Sequence, residues 1–352
     1  MTKTFKTLVS VLVLFSIAFG IFAATPLSGA KNTTGESVAV ITVDKKTERI
    51  TRAELDKKKA EYAAAGQNMT DSEVLDILIN DKVFLMNAQK DGINITDAQI
   101  DDQVRQARAQ LEQAAGKALT DLEFETVVQR QYGVPVSQLK ETLKNQAILS
   151  EYLKAKRPNE INKTFTVTNL EIEKFYQKNK QSLVSPEAVR IAHIYKQEQQ
   201  NAADNQKNKD FLTSVLARIM RGEITFESAV QDFSDQDATN SKANGGSVGW
   251  VGYAYAASLG DEFVDAAMSL KPGEVYSSVV HSPLGYHIIK ATATSAQKFL
   301  TLDDYVSPES NQKVREYIRE NLVAQKQQEN FVTVTNAFVD ELVAKAKITK
   351  NI

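Results

Sequence analysis

Apolar residues recur with two different periods along this chain, and the period changes near residue 185. Before that point they recur every three or four positions, which predicts amphipathic helices with one buried face each. The stripes lie at 74–86, 100–111, 139–152 and 170–176. A β-branched run at 38–43 precedes them and predicts a strand. The first half of the chain is therefore predicted to be helical after one N-terminal strand.

Five capping boxes mark predicted helix starts in this region. In such a box a threonine hydroxyl accepts from the third helical N–H, while the side chain three positions later accepts from the threonine N–H. The pairs are Thr51 with Glu54, Thr70 with Glu73, Thr96 with Gln99, Thr120 with Glu123, and Thr168 with Glu171. One box is weak evidence, but five at helical spacing favour a helical domain.

Beyond Ser185-Pro186 the chain changes to mixed strands and helices. The predicted order is strand, helix, helix, glycine-rich loop, short helix, strand, strand. The strands are placed at 189–194, 275–280 and 286–291, and the helices at 211–220, 226–233 and 262–270. A last amphipathic stretch at 311–346 is too charged to form a core alone. We expect it to pack back on the N-terminal helices.

The chain is thus predicted to have an α+β fold in which a mixed domain is inserted into a helical one. The predicted boundaries are 31–185 for the helical domain, 186–296 for the inserted domain and 297–352 for the C-terminal helix. With 352 residues, 42% of them hydrophobic, the chain can fill more than one core.

Residues 1–30 have the pattern of a secretory signal peptide. Lys3 and Lys6 precede an apolar run at 8–24, and small residues at 18–20 and 28–30 offer cleavage sites. The alternative is an uncleaved membrane anchor, because about 17 apolar residues is near the lower limit for a bilayer span. No cysteine follows the run, so attachment as a bacterial lipoprotein is not expected.

Composition removes several classes of function. A net charge of −2 does not favour nucleic acid as a partner, and the absence of cysteine removes disulfides, thiolate metal sites and cysteine nucleophiles. The three histidines do not follow a metal-ligand spacing, and no Gly-x-Ser-x-Gly elbow of a serine hydrolase is present. We therefore predict neither a metal nor a cofactor.

Three short segments carry a resemblance to a known family. They are Val-Arg-Ile-Ala-His-Ile at 189–194, Gly-Gly-Ser-Val-Gly-Trp at 245–250 and Gly-Tyr-His-Ile-Ile-Lys at 285–290. In this order they resemble the parvulin-type peptidyl-prolyl isomerases, over about a third of the chain. The resemblance implies a four-stranded sheet with helices around it.

The resemblance also implies a set of site residues. The two facing histidines of the family match His193 and His287, and its proline-ring pocket matches Val248, Leu259 and Phe263. His281 is expected to be a surface residue.

Two positions depart from the family pattern. An Asp or Cys usually stands two residues after the serine of Phe233-Ser234, where this chain has Gln236. Asp237 takes that place if the loop is shifted by one residue. Leu284 stands where the family usually has phenylalanine, and it is expected to keep an apolar wall of the pocket.

The whole chain is similar to SurA-like periplasmic folding chaperones. The resemblance implies an isomerase and chaperone for unfolded or nascent exported polypeptides that contain proline. Its place would be the periplasm or the outer face of a bacterial inner membrane, with membrane contact only through an uncleaved signal segment. One alternative is a holding chaperone whose parvulin domain binds peptide without catalysis, a possibility that Gln236 raises. Another is an anchored scaffold without client chemistry.

Overall fold

A computed structural model describes residues 35–64, 66–115 and 117–352. The predicted signal peptide at 1–30 lies outside this part of the chain, and so does the choice between its cleavage and anchoring. Within the described ranges, no helix has both the length and the apolar character needed to cross a membrane.

Two strands open the described part of the chain, a run of helices follows, and strands and helices then alternate. Up to residue 179 the elements are β1 (Ser37–Val43), β2 (Lys46–Thr51), α1 (Arg52–Ala64), α2 (Asp71–Lys90), α3 (Asp97–Ala115), α4 (Asp121–Tyr132), α5 (Val136–Lys156), α6 (Pro158–Ile161) and α7 (Asn169–Asn179). The remainder are β3 (Val184–Ser185), β4 (Ala188–Gln197), α8 (Ala202–Met220), α9 (Phe226–Phe233), β5 (Ser247–Val251), α10 (Ala256–Leu259), α11 (Asp261–Met268), β6 (Val280–Ser282), β7 (Gly285–Ser295), β8 (Lys298–Phe299), α12 (Val314–Lys345) and β9 (Lys347–Lys350).

The chain forms two compact units, of which the first is mainly helical. It contains the described residues up to Phe165 together with Lys326–Ile352. Its core joins strand β1 and helices α1 to α5 with the second half of α12, which contributes Val334, Phe338 and Leu342. The second half of the last helix packs on the N-terminal helices as predicted, whereas its first half belongs to the second unit. All five predicted capping boxes are formed, each with both of its hydrogen bonds.

The second unit, Thr166–Gln325, is built on an antiparallel four-stranded sheet in the order β5-β4-β7-β6. One face of the sheet packs on α10 and α11 through Ile191, Ile289 and Phe263. The opposite face packs on α8 and α9 through Ile194 and Ile288. Because helices cover both faces of the sheet, the sequences of the central strands are nearly continuous apolar runs. The α+β architecture with an inserted four-stranded domain is therefore confirmed.

The limits of the second unit differ from the predicted limits of the inserted domain. The unit contains all of 186–296, but it also includes a small core that joins Ile172 of α7 to Leu300, Leu302, Val314 and Ile318. This core forms between segments that lie more than 100 residues apart in the sequence. No sequence period can reveal such a contact.

One predicted strand is wrong. The stretch 275–280 makes only an isolated bridge between Val275 and Lys290, and the strand β6 begins at Val280. Tyr276 donates its backbone N–H to Ile289 at 2.8 Å, so this stretch follows β7 without forming a regular ladder. The sequence does not predict the strands β2, β3, β8 and β9, because their residues lack a sustained apolar alternation. The strand β5 is not predicted either, because it falls in the predicted glycine-rich loop.

Candidate active site

Two buried histidines face each other on neighbouring strands of the four-stranded sheet. His193 of β4 is paired with Ile289, and His287 of β7 is paired with Tyr195, so both rings stand on one face. Their Nδ1 atoms are 3.0 Å apart, and the side chains are nearly excluded from solvent. Tyr195 stacks against both rings, at 5.5 Å from His193 and 5.2 Å from His287 between centroids. The strand register thus brings together the two histidines that the sequence predicts.

Each histidine has a hydroxyl at its outer nitrogen. The Nε2 atom of His193 lies 2.9 Å from the Ser241 hydroxyl and 3.4 Å from the Asp237 carboxylate. The Nε2 atom of His287 lies 2.8 Å from the hydroxyl of Ser282. The pair therefore belongs to a continuous hydrogen-bonded chain that ends at one carboxylate.

The directions of these hydrogen bonds follow from the partners. An ionised carboxylate can only accept, so Asp237 favours the tautomer in which the Nε2 atom of His193 carries the proton; its Nδ1 atom then accepts from His287. The Nε2 atom of His287 then accepts from Ser282, whose oxygen in turn accepts the backbone N–H of Leu284 at 3.0 Å. Every polar atom of the two rings has a partner in this arrangement.

Both histidines are neutral at neutral pH. Burial lowers the pKa of His193 to about 4, although the nearby Asp237 opposes the shift. Burial, with repulsion between the two rings as the next cause, also lowers the pKa of His287 well below its usual value. Burial would raise the pKa of Asp237, but hydrogen bonds from Ser241 and Thr239 outweigh it and the pKa is lowered. The site thus holds one partly buried negative charge beside two neutral rings.

The carboxylate beside the histidines belongs to Asp237, whereas the neighbouring Gln236 points elsewhere. The side chain of Gln236 is exposed and is hydrogen-bonded to Asn240. Asp237 is held in place by the backbone N–H of Ser241 at 2.8 Å and by the hydroxyl of Thr239 at 2.9 Å. Gln236 therefore lies away from the two histidines, with its side chain exposed to solvent.

A glycine lets the loop that carries Asp237 approach β4. Gly246 has φ of +81°, and a Cβ atom there would lie 2.6 Å from the carbonyl oxygen of His193. Its own carbonyl accepts the backbone N–H of His193 at 2.8 Å. Any side chain at this position would push the loop away from the strand.

Three of the four predicted pocket residues share one apolar cluster. Phe263 is buried, and Val248 and Leu259 pack partly buried against the same cluster. The ring of Phe263 meets His287 edge to face at a centroid distance of 4.8 Å, so the cluster adjoins the histidine pair. Leu284 is different, because its side chain is 52% exposed. It lies on the turn between β6 and β7, and its part in the pocket wall stays a prediction.

Sequence reasoning missed Ser241, Ser282 and Tyr195. The two serines are buried and bind the histidines, and Tyr195 donates its hydroxyl to the carbonyl of Leu284 at 2.8 Å. A serine five residues before His287 carries no sequence signal, since most serines lie on the surface. His281, in contrast, is half-exposed as expected, and it is hydrogen-bonded to Glu198 at 2.9 Å.

Comparison with known proteins assigns this region to a family. Residues 193–293 match the model of the rotamase family, described as the PPIC-type PPIase domain. The matched range begins at the first histidine of the pair and includes all the strands of the sheet from β5 to β7.

Related proteins extend the similarity beyond this domain. Chaperone SurA of Methylobacillus flagellatus is 29% identical over 226 residues, covering 64% of this chain and 47% of that protein. Foldase protein PrsA of Clostridium acetobutylicum is 30% identical over 234 residues, covering 66% of this chain and 63% of that protein. The chain thus spans about half to two thirds of the length of these relatives.

A solved structure of a SurA-like chaperone of Campylobacter jejuni is also similar, at 19% identity over 88% of this chain and 98% of that one. Its TM-score of 0.34 is too low to add weight. The family match, the paired histidines and the two relatives agree with one another. Residues 193–293 thus match the PPIC-type, or parvulin-type, peptidyl-prolyl isomerase domain, and the chain is similar to chaperone SurA and foldase protein PrsA.

Proposed function

We propose that the protein is a peptidyl-prolyl cis-trans isomerase and chaperone that assists the folding of exported polypeptides. The observation that carries this proposal is the buried, neutral pair of His193 and His287 beside Phe263. Titratable groups with strongly shifted pKa values beside an apolar cluster are typical of functional sites. In this proposal the isomerase domain is the segment 186–296.

The proposed catalysis needs no bond between protein and substrate. Rotation about an Xaa-Pro bond is slow because amide resonance gives a barrier of about 18–20 kcal/mol. A catalyst must bind the twisted amide more tightly than either planar form. Val248, Leu259 and Phe263 would hold the proline ring and exclude water, which weakens the charge separation that stabilises the planar amide.

The histidine pair supplies the polar side of the same site. Both rings are neutral, so they do not attract the carbonyl oxygen of the planar amide as a cation would. The Asp237 carboxylate fixes the direction of the hydrogen bonds through His193 to His287. A fixed set of dipoles can favour the amide as its charge distribution changes, without being reorganised during the reaction.

Chaperone function and place in the cell are the second part of the proposal. The relatives named chaperone SurA and foldase protein PrsA support a role in folding client proteins. The apolar run with two preceding lysines supports export, so we propose an extracytoplasmic location, in the periplasm or on the outer face of the inner membrane. Its clients would be unfolded polypeptides that contain proline, bound by the first unit as well as by the isomerase domain.

A holding chaperone with an inactive isomerase domain is the less favoured alternative. Gln236 at the usual acidic position suggests it, but the carboxylate of Asp237 lies beside His193 instead. No further observation favours the alternative.

The decisive experiment is exchange NMR of cis-trans interconversion in a short Ala-Pro peptide with the full chain. We expect acceleration by the natural protein and a loss of severalfold or more in His193→Asn. His281→Asn is the matched control, because that histidine is exposed and outside the pair. Peptide binding without acceleration in the natural protein would refute the isomerase and leave the holding chaperone.

A further inference from the structure

The strand β5 forms an open edge of the sheet next to the proposed proline pocket. Among the described strands it pairs only with β4, through Val251, Trp250, Gly249 and Ser247. The pairing shifts between Gly249 and Ser247, so Val248 lies at a bulge. The backbone N–H of Trp250 points away from β4, toward Glu309. An outer edge of this kind is a template for another extended segment.

The outward N–H of Trp250 is occupied by a side chain. It donates to the Oε1 atom of Glu309 at 3.3 Å. This distance lies at the long end of the range for N–H···O hydrogen bonds, and Glu309 is exposed to water. The contact is therefore weak enough to be exchanged for another acceptor.

Glu309 is presented by a loop that folds back on itself. Tyr305 forms a bridge with Lys313, and Val306 donates its N–H to the carbonyl of Gln312 at 3.0 Å. Glu309 stands near the tip of this loop, between the two paired arms. The loop thus delivers one carboxylate to the sheet edge while its base is fixed in the small core around Leu302 and Val314.

The sheet edge is shaped to receive that carboxylate. Gly249 has φ of +100°, and a Cβ atom there would lie 3.0 Å from the Oε1 atom of Glu309. The missing side chain leaves room for an acceptor beside the Trp250 N–H. A peptide carbonyl has the same acceptor chemistry as one carboxylate oxygen and needs the same space.

The edge and the pocket are joined by one residue. The side chain of Val248 packs against the cluster that contains Phe263, and Val248 stands two residues before Trp250 in β5. A client strand that accepts from Trp250 would therefore pass close to the residue that lines the pocket. This continuity favours an extended polypeptide as the occupant, since one of its carbonyls can accept from Trp250 while its proline reaches the pocket.

We infer that the outer edge of β5 binds an extended client segment flanking the proline by backbone hydrogen bonds, and that Glu309 is an internal occupant which the client displaces. The inference rests on the proposed function and adds to it a second point of contact with the client. The loop at 305–313 would then weaken client binding, because the hydrogen bond from Trp250 to Glu309 must break before a client binds.

The test uses the fact that Trp250 is the only tryptophan in the chain. Full-length protein labelled with [15N]Trp gives one backbone amide signal and one indole signal, and the amide reports directly on the occupied N–H. A proline-containing peptide of about ten residues is titrated into the natural protein, Glu309→Ala and Glu309→Gln. Asp303→Ala is the matched control, because Asp303 is an exposed acid on the same connecting segment.

We expect the peptide to shift the Trp250 amide signal in the natural protein. In Glu309→Ala the free amide signal should move and the peptide should bind about three- to tenfold more tightly, the equivalent of losing one competing hydrogen bond. Glu309→Gln keeps an acceptor and should bind much as the natural protein does, and Asp303→Ala should match it as well. A peptide N-methylated at the residues beside proline should lose the tighter binding.

Two failures can be told apart. If the natural protein accelerates isomerisation but the peptide leaves the Trp250 amide signal in place, the edge site is refuted and the isomerase stands. Equal peptide affinity in Glu309→Ala and Asp303→Ala would refute the displaced occupant in the same way. If no acceleration is found although the peptide moves the Trp250 signal, the isomerase is refuted and the edge is a binding site for extended chains.

Discussion

Acidification tests the buried histidine pair most directly. Burial lowers the pKa of His193 in the folded protein to about 4, whereas an unfolded chain should show the ordinary value of about 6.5. Between these values the unfolded chain binds a proton that the folded chain does not. The free energy of unfolding must therefore fall as the pH falls through this window, and the contribution is fully present only above it.

The size of the effect follows from the two pKa values. Linkage gives a loss of about 2 kcal/mol between pH 7 and pH 5 from His193 alone, and about 3 kcal/mol once the pH is below 4. His287 is shifted in the same direction, so it adds to the loss. An effect of this size is a large part of the stability of an ordinary domain.

Urea unfolding at a series of pH values measures this loss. The fluorescence of Trp250 is a suitable signal, because Trp250 lies in β5 and is paired with Arg190 of β4, the strand that carries His193. The natural protein is compared with His193→Asn, and the difference between them cancels the carboxylates that both contain. His281→Asn, which changes an exposed histidine, should behave as the natural protein does.

The natural protein should lose about 2 kcal/mol more than His193→Asn between pH 7 and pH 5. Equal losses in the two proteins would mean that His193 titrates near its usual pKa in the folded state. The description of the site as a buried neutral pair would then be wrong.

Three other substitutions test the surroundings of the pair. In a peptide isomerisation assay, Asp237→Asn should lower kcat/KM about tenfold, because it removes the charge that directs the hydrogen bonds. Gln236→Ala should change kcat/KM by less than about twofold. A larger loss in Gln236→Ala than in Asp237→Asn would contradict the placement of the carboxylate. Ser282→Ala should cost about 1–2 kcal/mol in urea unfolding, since it leaves a buried ring nitrogen without its donor, and an unchanged midpoint would argue against that hydrogen bond. Gly246→Ala should lower the free energy of unfolding by about 2 kcal/mol or more, because its Cβ would meet the strand β4. Gly245→Ala has a similar φ but open space around it, so it should lower the free energy of unfolding by only about 1 kcal/mol. Equal losses in the two variants would show that the close approach at Gly246 is absent.

The sequence predicted the helices and the histidines well for different reasons. Helices are local structures, so the apolar period and the capping threonines place them without knowledge of the fold. His193 and His287 were found because each lies in a strongly apolar strand and because the resemblance pairs them. Period alone would not have joined two residues separated by 94 positions.

The residue that supplies the acid beside His193 could not be chosen from the local sequence. Gln236 and Asp237 are neighbours in the sequence, and counting from Ser234 favours the first. The hydrogen bonds from Ser241 and Thr239 select the second, because they hold the Asp237 carboxylate toward His193. Leu284 is another residue whose surroundings the sequence does not give, since its apolar side chain is half-exposed on a turn.

The sequence by itself thus determined the helical and mixed regions, the inserted arrangement and the candidates for the site. These depend on the spacing of residues along a short stretch of chain, which is present in the sequence as such. Only the tertiary structure decided which hydroxyls meet the histidines, which acid lies beside them and that Glu309 reaches the edge of β5. Each of these contacts joins distant segments, and its geometry depends on strand register and loop conformation rather than on any local period.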